Sequence, residues 1–148
     1  MKIRLTRIDN DTHRLEIERA DGSRLATNLE TRSVLLHDLV HFAVETEAGI
    51  PDGVWGSLAD GLDFEALRTE VEAPTRPGIA LAETLVGPMQ SVFRHGHDAD
   101  RYVERMKDVA PFVDRAFVER VLERIRRLWG HWQGTPFRRA MELDWPRD

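Results

Sequence analysis

The chain has 148 residues, with 41% hydrophobic and 32% charged side chains, a composition too apolar for disorder and too polar for a membrane protein. It contains no cysteine, which excludes disulfides, thiol nucleophiles, cysteine zinc fingers and iron–sulfur ligation, so any metal must be held by His, Asp and Glu. The formal net charge of -5 argues against nucleic acid or an anionic membrane as a partner of the whole surface.

A single α+β domain over residues 1–148 is expected at this length. The opening run, Met1-Lys2-Ile3-Arg4-Leu5, alternates charge with aliphatics where an export signal needs an apolar core, so a soluble, cytoplasmic protein is expected. Ile3, Leu5, Leu15, Ile17 and Leu25 recur with period two, and turn chemistry separates them at Asn10-Asp11 and Asp21-Gly22. This predicts a three-stranded antiparallel meander.

From Ser33 to Ala48 the period changes to that of a helix, closed by Gly49 where a left-handed C-cap belongs. Pro51-Asp52-Gly53 breaks the chain, and two short helices are predicted at Trp55–Ala59 and Phe64–Val71. Asp52, Asp60 and Asp63 border them as caps. The Gly53-Val54-Trp55-Gly56 run points to close packing around an aromatic ring. The connection from Ala73 to Gly78 is short enough to stay within one domain.

A helix from Ile79 to Arg94 is predicted to kink or split at Gly87-Pro88, because proline removes a donor and crowds the preceding turn. Asp98 to Val109 reads as another helix, and Pro111 as the first turn of a third, whose stripe runs from Phe117 to Trp132. Met141, Leu143 and Trp145 then alternate as a final strand, expected to rejoin the N-terminal sheet and cover its own apolar face there.

At about 100 degrees per residue, His37, Asp38, His41 and Glu45 share one arc of the first helix, and Leu35, Leu36, Leu39 and Ala43 the opposite one. An ordinary amphipathic helix would leave such a polar arc in solvent, paired internally. This arc has neither Lys nor Arg, however, and carries two of the chain's six histidines. Imidazoles at i and i+4 can meet on one divalent cation such as zinc, with Glu45 as a further ligand or a support behind them.

His37-Asp38-Leu39-Val40-His41 is similar, over these five residues, to the HExxH helix of zinc metalloproteases. The resemblance implies His37 and His41 as metal ligands and Asp38, standing where that family has Glu, as the catalytic proton acceptor in metal-assisted hydrolysis. No third-ligand motif of that family follows downstream. A second group, His95-Gly96-His97, lies between two helices and offers two more ligands if the fold brings it to the first; read locally, it is a helix C-terminus with a glycine cap, followed by Asp98 as the next N-cap.

Two other classes of function compete with a metal or small-molecule site. One is a protein-interaction module, homodimeric through a sheet edge or the Trp55 segment. The other is nucleic-acid binding by Arg124, Arg126, Arg127, Arg138 and Arg139, interleaved with Trp129, Trp132 and Phe137; against it, both tryptophans continue the apolar stripe from Phe117 and are expected in the core. No P-loop, dinucleotide fingerprint or nucleophile elbow is present.

Overall fold

A computed structural model describes residues 1–146. Four antiparallel strands, β1 (Lys2–Arg7), β2 (Thr12–Glu18), β3 (Arg24–Glu30) and β4 (Ala140–Asp144), form one sheet in the order β3-β2-β1-β4. Six α-helices lie between β3 and β4: α1 (Leu36–Ala48), α2 (Val54–Ala59), α3 (Phe64–Glu72), α4 (Pro77–His95), α5 (Ala99–Met106) and α6 (Arg115–Gln133). The α+β class, the N-terminal meander and the return of the last strand to the sheet agree with the sequence reading.

Side-chain caps at the turns fix the sheet register. Asp9 accepts from the backbone amides of Asp11 and Thr12, closing the first turn, and Asp21 accepts from the amide and hydroxyl of Ser23. Gly22 takes φ +83°, which its missing Cβ permits. The pairs Ile3↔Ile17 and Leu5↔Leu15 then place every buried aliphatic on one face, and Leu5↔Met141 carries that face across to β4. The opposite face is charged and solvated, with Arg4 reaching Glu142 at 2.8 Å and Arg24 reaching Glu18 at 2.9 Å.

A π-helical turn, Thr31–Leu35, joins β3 to α1, and the Glu30 carboxylate caps it by accepting from the amides of Arg32 and Ser33. The regular helix therefore starts at Leu36, three residues after the predicted start at Ser33. Gly49 closes α1 with φ +63°. Helix α1 packs against α4 and α6 and is the central helix of the fold: Leu36, Leu39, Val40, Phe42, Ala43 and Val44 are all buried. A helix covered on most of its circumference leaves little room for a solvated arc.

Two expectations are corrected. Helix α4 is not split at Gly87-Pro88 but runs unbroken from Pro77 to His95. The carbonyl that Pro88 leaves without its helical donor belongs to the exposed Thr84, where water can satisfy it. Pro111 does not open α6 either; the helix begins four residues later, where Asp114 accepts from the Phe117 amide at 2.7 Å. No helix among the described residues is long and apolar enough to cross a membrane.

Candidate metal centre

His41 and Glu45 lie one turn apart on α1, and both are buried, at 2% and 1% exposure, which corrects the expectation of a solvated arc for this pair. An unpaired carboxylate could not be held there, and Glu45 has three donors. His41 Nδ1 is 3.0 Å from Oε1, the Val54 amide donates to the same oxygen at 2.9 Å, and the Trp55 amide donates to Oε2 at 3.1 Å. The last two are free amides at the start of α2, so one carboxylate both caps α2 and fixes the His41 ring.

The glycines of the 53–56 run make this approach sterically possible. A Cβ on Gly53 would lie 2.5 Å from the Glu45 carboxylate carbon, and one on Gly56 would collide with the Pro51 carbonyl. Trp55 is buried and its indole N–H donates to the Asp38 carbonyl at 3.3 Å, tying α2 to α1 a second time. Asp52 spans a further gap, accepting from the Gly78 amide in the first turn of α4.

The other nitrogen of His41, Nε2, is 3.1 Å from Glu83 Oε1 of α4, but off the line of a hydrogen bond. His37 stacks edge-to-face on His41 with ring centroids 4.7 Å apart, and Asp38 Oδ1 is 3.9 Å from His37 Nδ1. One donor atom from each of His37, His41 and Glu83 falls within 4.8 Å of the other two, so this group can hold a metal ion. Donors at zinc distances of about 2.0–2.1 Å and tetrahedral angles sit roughly 3.3 Å apart, close to the His41–Glu83 spacing. His37 is half-exposed, so burial does not oppose the side-chain rotation that would bring its nitrogen closer.

Electrostatics favour a cation here. Burial works to lower the His41 pKa, but the Glu45 hydrogen bond and the Glu83 carboxylate outweigh it and raise the imidazole to about 9. Contact with His41 in turn lowers the pKa of Glu83, against the effect of its own partial burial. Without a metal, the site therefore holds an imidazolium between two carboxylates.

Glu83 was missed in the sequence. Its signal was position: it lies next to the inward stripe of Ile79, Ala82 and Val86, all buried. Glu45 does not join the three-residue group, because its oxygens are taken up behind His41. His95 and His97 pair with each other, ring centroids 5.3 Å apart, on the exposed C-terminal end of α4 and the loop beyond. His95 lies twelve positions along the helix from Glu83, about 18 Å away. Gly96 takes φ +61° and Asp98 caps α5 by accepting from Asp100, as a plain helix-to-helix connection would. Asp63 likewise caps α3 through the Ala66 amide.

Among the described residues, two of the five arginines proposed for nucleic-acid contact are engaged in ion pairs. Arg124 pairs with Glu47 at 2.7 Å and Arg126 with Glu123 at 3.4 Å, while Trp132 is buried beneath the Arg7 guanidinium and Trp129 is half-buried. A buried indole is unavailable for stacking on bases. No protein family, no curated protein and no solved structure matches this chain, so the functional reading rests on geometry.

Proposed function

We propose that the protein binds a divalent metal ion, such as zinc, through His37, His41 and Glu83. The observation that carries this reading is the orientation of His41. Its Nδ1 is committed to a buried carboxylate, and its Nε2 is left without an aligned hydrogen bond beside a second carboxylate and a second imidazole. Metal-bound histidines are held in this way, a rear carboxylate fixing the tautomer and strengthening the donor.

Three protein ligands leave a position free for water or a small molecule, the arrangement of catalytic rather than structural zinc. Asp38 borders the same cleft and is the group suited to accept a proton from water activated there, so metal-assisted hydrolysis is the chemistry we assign to the site. Its shorter side chain reaches less far than the glutamate of the HExxH helix.

The test is metal titration of protein purified without a histidine tag. Stoichiometric zinc or manganese binding is expected, lost in Glu83→Gln and His37→Ala and weakened about 10–100-fold in Glu45→Gln. A second reading is favoured by the raised His41 pKa: the imidazolium between Glu45 and Glu83 ties α1 to α2 and α4 as a purely structural ion triad. If no divalent metal binds, that second reading takes over.

A further inference from the structure

The metal group borders a cleft of about 1040 Å³ whose other walls are largely apolar. Helix α3 contributes Phe64, Leu67 and Val71, which share one side of the helix at i, i+3 and i+7. Such a stripe normally lies in a core, yet no residue of α3 is buried. Strand β3 also lacks a buried residue, and its inward-facing Leu29 lines the cleft opposite, with Trp55 and Leu58 of α2 between. Two half-covered apolar surfaces therefore face one space, of a size that takes a small organic molecule.

The charge around that space selects the head of the molecule. Two neutral imidazoles and the Glu83 carboxylate leave a bound divalent cation one positive charge within its own ligand set, with Glu45 behind His41 and Asp38 on the cleft wall as further carboxylates nearby, and an open position that prefers an oxygen donor. Arg68 lines the same cleft and forms no ion pair among the described residues. Resting on the metal reading above, we infer that the cleft takes an amphipathic alkyl carboxylate, its chain against α3 and β3 and its carboxylate on the cation. Glu65 and Glu72 at the margin make the alternative head, an alkylammonium, the natural contrary probe.

Calorimetric titration of the full chain, first with zinc and then with decanoate, separates the two readings. Protein loaded with one equivalent of zinc and freed of excess should bind decanoate at least tenfold more tightly than metal-free protein, and decylamine more weakly. Affinity should rise about fourfold per methylene from hexanoate to decanoate, the fold-change that burial of one such group gives. Leu67→Asp, on a helix with no buried residue, should lower decanoate affinity at least tenfold and leave zinc affinity unchanged. Normal zinc uptake with no decanoate binding, equal binding with and without zinc, affinity independent of chain length, or tighter decylamine binding would each overturn the carboxylate inference while leaving the metal reading in place. Failure to take up zinc overturns both, and is seen before any carboxylate is added.

Discussion

Glu45 and His41 face each other across one turn of α1 at 3.0 Å, both sealed from solvent, with the first amides of α2 completing the shell around the carboxylate. A neutral amide cannot replace Glu45, because its NH2 would meet an N–H group at one or more of the three donor positions. Glu45→Gln should destabilise the metal-free protein by about 3 kcal/mol, the usual cost of breaking a buried, hydrogen-bonded charge pair. Urea unfolding measures this, and a change below about 0.5 kcal/mol would show that the pair contributes little net stability.

Gly53 and Gly130 should respond in opposite ways to the same added methyl group. Gly53→Ala drives a Cβ to 2.5 Å from the Glu45 carboxylate carbon and should cost about 1–3 kcal/mol while weakening zinc binding. Gly130 lies within α6, exposed, with no neighbouring segment inside 4 Å of its would-be Cβ, so Gly130→Ala should stabilise by about 0.5–1 kcal/mol. Thermal melts of the two variants suffice, and equal shifts would remove the steric argument at Gly53.

Zinc binding should release protons. In the metal-free protein His41 titrates at about 9, and coordination by Nε2 requires that nitrogen to be deprotonated. Near neutral pH, about one proton per site is expected, and affinity should strengthen as pH rises toward 9. Calorimetry in two buffers of different ionisation enthalpy counts the protons; a count of zero at full zinc occupancy means that His41 is not a ligand.

His13 makes stability depend on pH in the acid range. It is fully buried, with Nδ1 3.1 Å from Thr31 Oγ1 and its ring edge-on to Trp132. Burial lowers its pKa from 6.5, more than Asp38 and Glu30 raise it. Below that value the unfolded chain takes up a proton that the folded chain resists. The His13 contribution is therefore complete above about pH 6.5 and is lost as pH falls through that window. His13→Gln should flatten the loss of stability between about pH 7.5 and about pH 5 relative to the parent protein, as measured by urea unfolding at each pH. Parallel profiles would show that His13 does not titrate differently on folding.

The elements most legible in the sequence were those written by short-range chemistry: the Asp21-Gly22 turn, the Gly49 and Gly96 caps, the Asp63 and Asp98 N-caps, and the period of the strands. The site was legible only in part. His37, Asp38 and His41 could be grouped because they share one helix, whereas Glu83 comes from α4 and depends on how two helices pack. The burial of His41 and Glu45 had a local sign, since Val40 and Val44 flank the polar arc and narrow it, but how far neighbours close over an arc is a tertiary fact. The π turn before Leu36 and the late start of α6 at Arg115 were set by side-chain caps from Glu30 and Asp114, and these compete with the propensities that periodicity reads.

Helix α3 keeps none of its nine residues in the core and packs mainly against its neighbours α2 and α4. Local opening free energy follows the apolar area that each segment shares with the rest of the molecule, so this helix should be the least protected. Its amides should exchange with deuterium well ahead of those of α1 and β1, and a molecule seated in the cleft should slow them by holding the helix down from beneath.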